Sequence, residues 1–136
     1  MSLTRHAVRE EAFQVLFALQ TNPDAELATV YQSIPHHDKQ EIPAYLTALV
    51  KGVSDHQDEL DQQISSLLAR DWTIDRLVKP DLIILRIALY EIQYVDGVPT
   101  AVAINEALEL AKAFSNDKSR KFINGALGKF EQEHRN

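Results

Sequence analysis

The stretch LIILRIALYEI, residues 82–92, decides the fold of this chain. A helix built from it would be apolar almost all the way round, and such a helix is normally enclosed by others. The β-branched residues also permit a buried strand, but the run is long and the sequence offers no hairpin or parallel partner for it. We therefore predict a central helix from Pro80 to Tyr94, with Pro80 in the first turn, where proline is tolerated.

Amphipathic segments on both sides of this run would supply the helices that enclose it. The apolar rhythm predicts helices over residues 4–20, 24–32, 43–69, 99–114 and 118–132, with Thr4 and the Ser115–Asp117 break as N-caps. No alternating strand pattern of useful length occurs. We predict an all-α fold, a compact helical bundle of about six to seven helices. The break around Trp72 would divide one domain, residues 1–136, into halves of about residues 1–71 and 72–136 that share a core.

Composition excludes several classes of protein. A chain of 136 residues can bury a core without a disulfide or metal, and the absence of cysteine excludes thiol nucleophiles and cysteine-based zinc sites. Glu10 and Glu11 stand where a signal peptide would be apolar. The run 82–92 is interrupted by Arg86 and is too short to cross a bilayer. We expect a cytoplasmic protein without a membrane segment.

The charges are unevenly distributed along the chain. The formal net charge of −6 argues against a general nucleic-acid binder. Residues 20–76 carry ten acids and four bases, whereas residues 112–129 carry five bases and one acid. This asymmetry suggests a local anionic partner near the C-terminus, although a solvated helix face would explain the same charges.

The residues that could support catalysis or bind a metal are few. The cluster His36-His37-Asp38 lacks a second pair of ligands at metal spacing, so we interpret it as a solvated loop. Glu106 and Glu109 lie one helical turn apart on a polar face and are interpreted in the same way. No glycine-rich phosphate loop, G-x-S-x-G or H-E-x-x-H motif is present. We expect no enzyme activity, no cofactor and no metal.

The last predicted helix carries a mixed cationic and aromatic face. Spacings of three and four place on this face Lys118, Lys121, Phe122, Gly125 and Lys129. Lysines neutralise phosphates and a ring stacks on an unpaired base, so the face suits single-stranded RNA. The first helix adds the cations Arg5 and Arg9, with His6 between them. The alternative is that Phe122 caps the core and the lysines are simply solvated.

A second strip on the first helix is formed by Arg9, Phe13 and Phe17, spaced four residues apart. The strip lies beside the main apolar stripe of this helix. It could dock a partner protein, or it could be core if the helix is enclosed on two sides, which is the more frequent outcome.

Four segments in order resemble the NusB family of bacterial transcription antitermination factors: REEAFQVLF (9–17), LRIALYEI (85–92), VPTAVAINEALELAK (98–112) and KFINGAL (121–127). The resemblance covers essentially the whole chain. It implies an all-helical fold of two small subdomains without catalysis. It also implies a partner, NusE (the small-subunit ribosomal protein S-ten), and binding to the single-stranded boxA element of ribosomal RNA transcripts. The complex would join others on RNA polymerase and suppress premature termination.

The resemblance also implies roles for individual residues. RNA would be bound by Arg5, His6, Arg9, Lys118, Ser119, Lys121 and Phe122. NusE would face Phe17 and Asp81, and the neighbouring Phe13 extends the same strip. The N-terminal segment has fewer arginines than strongly basic family members, so we expect NusE to matter more for RNA binding. Lys118 supplies a cation where some relatives look acidic.

Two alternatives use the same features. Similar helical domains look to be fused to RNA cytosine methyltransferases, but these 136 residues contain no cofactor-binding domain, so we do not expect methyl transfer. A homodimer that covers its own aromatic strip is the other alternative.

Overall fold

Within residues 4–34 and 41–134, which the structure describes, a computed structural model of the chain contains seven α-helices, one 3-10 turn at Ile74–Arg76 and no strand. The helices are α1 (Arg5–Thr21), α2 (Leu27–Gln32), α3 (Ala44–Asp55), α4 (Gln57–Leu67), α5 (Lys79–Tyr94), α6 (Thr100–Phe114) and α7 (Asp117–Glu133). The predicted all-α class is confirmed. The His36-His37-Asp38 cluster lies outside the described residues.

Helix α5 is the central element, as its sequence predicts. It packs against α1, α3, α4, α6 and α7, and every residue from 81 to 89 is buried. A helix with neighbours on all sides has no solvated face, which explains why its sequence lacks a polar stripe. The other helices need only one apolar face each, directed at α5 or at each other.

One predicted helix is in fact two. The segment 43–69 breaks at His56, which ends α3 and begins α4 with φ −106° and ψ 14°. The imidazole Nδ1 of His56 bonds the carbonyl of Gly52 at 2.9 Å, and the ring packs against Tyr94 with centroids 4.3 Å apart. The apolar spacing conceals this break, because Val53 and Leu60 still face the core on either side of it.

Two predicted N-caps fix the helices that carry the candidate site. Thr4 Oγ1 accepts the backbone N–H of Ala7 at 3.0 Å at the start of α1. Asn116 Oδ1 accepts the N–H of Ser119 at 2.8 Å at the start of α7. Each cap satisfies a donor that the first helical turn leaves without a partner inside the helix.

The link between α4 and α5, residues 68–78, contains Trp72 and the 3-10 turn, and we call it the α4–α5 link. A single hydrophobic cluster joins residues before and after it, among them Val15 and Leu49 with Leu85 and Leu127. The division into two subdomains therefore stays a prediction.

No helix in the described part of the chain is long and apolar enough to cross a membrane.

Candidate nucleic-acid interface

The first turns of α5 and α7 and the α4–α5 link surround an open groove of about 500 Å³. We call it the α5–α7 groove. Three residues predicted to bind RNA line it, namely Lys118, Ser119 and Phe122. A fourth, Lys121, is exposed on the same helix. The structure therefore brings the C-terminal candidates together at one end of the central helix.

The lining of the groove combines apolar surface with positive charge. Phe122 is half-buried, packs against the core and also lines the groove, so its predicted stacking on a base stays a prediction. Trp72 and Val78 contribute exposed apolar surface, and Arg76 adds a second cation beside Lys118. Aromatic faces next to cations suit an unpaired base with its phosphate.

Two helix N-termini open at this groove. Val78 and Asn116, the N-cap residues of α5 and α7, both line it. Helix N-termini carry a partial positive charge and backbone N–H groups directed outward. The dipoles of both helices therefore add to the charges of Arg76 and Lys118 and make the groove attractive to an anion.

Asp81 fastens these two helices to each other. Its buried carboxylate accepts hydrogen bonds from Ser119 Oγ at 3.0 Å and from Ser115 Oγ at 3.2 Å. Asp81 was predicted to face NusE and Ser119 to contact RNA, but their polar side-chain atoms bond each other instead. A carboxylate that is removed from water needs such donors. The hydrogen bond between Asp81 and Ser119 therefore links α5 to α7 at the base of the groove.

The N-terminal cations lie at the other end of α5. Arg9 has only 3% of its surface exposed; its Nε lies 3.0 and 2.9 Å from the two carboxylate oxygens of Glu91, and its Nη1 donates to Glu106 at 2.9 Å. The Tyr45 hydroxyl also donates to Glu91, and burial, followed by this hydrogen bond, raises the pKa of Tyr45 to about 12. The prediction that Arg9 binds RNA directly is contradicted, because its guanidinium is enclosed and ion-paired.

Arg5 and His6 remain at the surface. The guanidinium of Arg5 lies 3.7 Å from the centroid of the Tyr45 ring, a cation–π contact. His6 Nδ1 lies 3.0 Å from Glu106 Oε2, and this hydrogen bond raises the pKa of His6 above its ordinary value. Both side chains are exposed, so they can reach a ligand, although each already has a partner within the chain.

The aromatic strip of α1 divides between core and surface. Phe13 is 4% exposed and stacks on Phe114 of α6 with centroids 4.4 Å apart and an interplanar angle of 16°. The prediction that Phe13 faces a partner is therefore contradicted, because α1 is covered on this side by α6. Phe17 is 36% exposed, and its ring centroid lies 6.0 Å from that of Phe13. Phe17 is the member of the strip that a partner can reach.

Comparison with known proteins shows which family the chain resembles. The profile of the NusB family matches residues 6–132. The chain is 69% identical over 133 residues to the transcription antitermination protein NusB of Limosilactobacillus reuteri (strain DSM 20016), with 98% of this chain and 96% of that protein covered. The chain belongs to the NusB family. Lactiplantibacillus plantarum has a relative of the same name that is 58% identical over 139 residues, with both chains covered to 100%.

Solved NusB structures share this arrangement of helices. T. maritima NusB superposes with a TM-score of 0.86 at 29% identity and covers 100% of this chain and 96% of its own. A chain from the crystal structure of the antitermination factors NusB and NusE in complex with dsRNA superposes with a TM-score of 0.77 at 24% identity, covering 96% and 97%. This second likeness shows the fold.

Three residues that line the α5–α7 groove were not predicted from the sequence to take part in binding, namely Trp72, Arg76 and Val78. The link in which they lie has no periodicity that would predict its surroundings. The only sequence signal was a tryptophan with an arginine four residues later in a short connection. In the part of the chain that the structure describes, no group of three or more His, Cys, Asp or Glu could hold a metal ion.

Proposed function

We propose that this member of the NusB family is a transcription antitermination factor that binds single-stranded boxA RNA of ribosomal RNA transcripts together with NusE. It would act in the cytoplasm as part of the antitermination complex on RNA polymerase. Its role would be to bind RNA and protein, without catalysis. One observation carries the proposal: the α5–α7 groove joins aromatic walls, cations and two helix N-termini at one place on the surface. The names of the curated relatives, which are transcription antitermination proteins, support it.

The groove has the chemistry that a flexible single strand requires. Lys118 and the neighbouring Lys121 can neutralise phosphates without selecting a sequence. The exposed part of Phe122 offers a face for an unstacked base, which is how single-stranded RNA is usually read. These residues form the primary RNA contact in our proposal.

Arg5 and His6 would form a second contact. They lie near Glu106 and the C-terminal end of α5, whereas the groove lies at the other end, beside Asp81. Glu91 and Asp81 are separated by ten residues of α5, or about 15 Å of helix. A single strand that reaches both places must therefore run along the molecule, and the two contacts would act on different nucleotides.

The partner surface would adjoin the groove through Phe17. Phe17 lies next to Phe13, which stacks on Phe114 at the end of α6. The next residue, Ser115, donates to Asp81 at the base of the groove. A protein seated on Phe17 would thus lie close enough to share RNA bound in the groove. The structure described as NusB and NusE with dsRNA supports NusE as that partner.

Salt dependence tests the phosphate contacts. We expect a boxA-like single strand to bind more tightly than a scrambled strand, and NusE to strengthen this preference. Lys121→Ala should reduce the slope of log affinity against log salt concentration by about one unit. Lys51→Ala, an exposed lysine on α3, is the matched control and should leave the slope unchanged. Equal affinity for both strands, with and without NusE, would refute the proposed function.

The ring of Phe122 requires a measurement of binding and of stability together. Phe122→Ala should lower RNA affinity by about 1–3 kcal/mol if the ring stacks on a base. The half-buried ring also contributes to the core, so some stability will be lost. A loss of about 3–5 kcal/mol of folding stability with unchanged RNA affinity of the folded variant would assign Phe122 to the core alone.

A further inference from the structure

The α5–α7 groove contains a second large aromatic side chain besides Phe122. Trp72 lies in the α4–α5 link and is 46% exposed. Its backbone N–H bonds the carbonyl of Ala69 at 2.9 Å, which fixes the turn that carries it. A half-exposed indole fixed in a groove offers a large flat surface to a ligand.

Arg76 contacts the indole of Trp72 and places a positive charge beside it. Its guanidinium lies 5.0 Å from the centroid of the Trp72 ring, so one face of the ring carries a cation–π contact. The ring remains 46% exposed, so part of its surface is available to another flat group. An arginine in this position also places a positive charge where the phosphate next to a stacked base would lie.

The charge of the groove favours a nucleic-acid base over an apolar protein segment. Arg76 and Lys118 line the groove together with the N-terminal ends of α5 and α7. The acid in the groove, Asp81, already accepts two serine hydroxyls. An apolar partner would remove both cations from water and offer them no opposite charge, whereas a nucleotide supplies a phosphate for them and a flat base for the indole.

We propose that Trp72 is a second base-stacking residue, so that the groove receives unpaired RNA bases on two aromatic walls, Trp72 and Phe122. This inference rests on the proposed function and deepens it by naming a specificity-determining residue outside the resemblance. Stacking on two rings also requires the bases to be unpaired, which gives the groove a reason to prefer a single strand over a duplex.

Trp72 reports on its own environment, because it is the only tryptophan in the sequence. Titration with a boxA-like single strand should quench its fluorescence, with a midpoint equal to the one from anisotropy of a labelled strand. Replacing nucleotides one at a time by abasic sites should abolish the quench at the position that stacks. Quenching by NusE in the absence of RNA, together with no further change when RNA is added, would assign this wall to the protein partner and overturn the inference.

Substitutions separate stacking from simple apolar contact. Trp72→Leu should weaken RNA binding about 5- to 150-fold, the range for loss of one base–aromatic stack. Trp72→Phe keeps a ring and should retain most of the affinity. Tyr94→Leu removes a comparably exposed aromatic whose partners are His56 and Glu59, residues that belong to neither proposed RNA contact, and should leave RNA affinity unchanged. Unfolding of each variant should be measured in parallel, and the half-exposed Trp72 should tolerate leucine without collapse of the fold.

The outcomes distinguish this inference from the proposed function. Suppose that Lys121→Ala and Phe122→Ala weaken RNA binding, that Trp72→Leu does not, and that RNA does not quench Trp72 fluorescence. Trp72 is then not a base-stacking residue, and the proposed function stands. If the unaltered chain shows no preference for the boxA-like strand with or without NusE, both are wrong. Equal weakening by Trp72→Leu and Trp72→Phe would also overturn stacking, because a phenyl ring can still stack.

Discussion

Tyr90 of α5 lies so close to Gly52 of α3 that a β-carbon at position 52 would overlap its ring. From sequence alone this glycine is a weak point in a helix, costing about 1 kcal/mol relative to alanine. The structure shows what the missing side chain permits. Tyr90 is itself confined by His56 and Tyr94, whose ring centroids lie 5.7 and 5.3 Å away.

We therefore expect Gly52→Ala to destabilise the fold by about 1–3 kcal/mol in urea unfolding, because overpacking outweighs the gain in helix propensity. Gly128→Ala is the matched control, since Gly128 lies exposed in α7 with nothing within 4 Å of a β-carbon. It should stabilise by about 0.5–1 kcal/mol. A stabilising Gly52→Ala would show that Tyr90 can move aside.

Arg9 and Glu91 form a buried ion pair, and such a pair is most costly when one member is removed. We expect Arg9→Ala to lose about 3–5 kcal/mol of folding stability. The substitution removes the ion pair of the buried Glu91 carboxylate and leaves it the hydrogen bond from the Tyr45 hydroxyl. Arg5→Ala, which removes only an exposed cation–π contact, should cost about 1 kcal/mol or less. Chemical denaturation measures both. Reduced RNA affinity of Arg9→Ala with full stability would contradict the structural role.

At the scale of elements, His6 joins the first turn of α1 to α6 through Glu106. The hydrogen bond that His6 donates to the Glu106 carboxylate raises the pKa of His6 in the folded protein above 6.5, the value expected when unfolded. A raised folded pKa means that protonation favours the folded state. The contribution is complete below pH 6.5 and disappears as pH rises through the folded pKa.

NMR titration of the His6 ring should therefore give a pKa above 6.5, and Glu106→Gln should lower it, although Glu10 at 3.7 Å will keep part of the shift. Since His6 is exposed, the effect on stability will be small. An unchanged His6 pKa in Glu106→Gln would mean that the contact between α1 and α6 does not persist in solution.

The helices themselves show what periodicity can and cannot predict. It predicted the central position of α5 and the ranges of α1, α6 and α7 to within a few residues, because their apolar faces are continuous. It missed the break at His56, because one residue that leaves the helix does not interrupt the apolar spacing. The ring of His56 at this break packs against Tyr90 and Tyr94 of α5, contacts between residues that are distant along the chain.

At the scale of the molecule, one hydrophobic cluster spans both halves of the chain. We expect a single cooperative unfolding transition, with equal calorimetric and van't Hoff enthalpies and with the circular dichroism and Trp72 fluorescence curves coinciding. Two separated transitions would instead support independent subdomains divided near Trp72. The result therefore tests the domain division that the sequence suggests.

The distribution of charge also belongs to the whole molecule. The net charge of −6 discourages general attraction of polynucleotides, while Arg76, Lys118 and two helix N-termini come together in one groove. A protein arranged in this way can select a strand that fits the groove without binding every RNA it meets.

The sequence by itself determined the all-α class, the enclosed position of α5, the cap at Thr4, a cap within the Ser115–Asp117 break and the cationic face of α7. Each of these depends on local spacing, which a sequence records directly. Only the tertiary structure decided that Arg9, Phe13, Asp81 and Ser119 are held inside the molecule and that Trp72 and Arg76 complete the groove. The physical reason is that spacing shows which side of a helix a residue occupies but not what packs against it. Glu91, whose carboxylate pairs with the buried Arg9, lies 82 residues away along the chain.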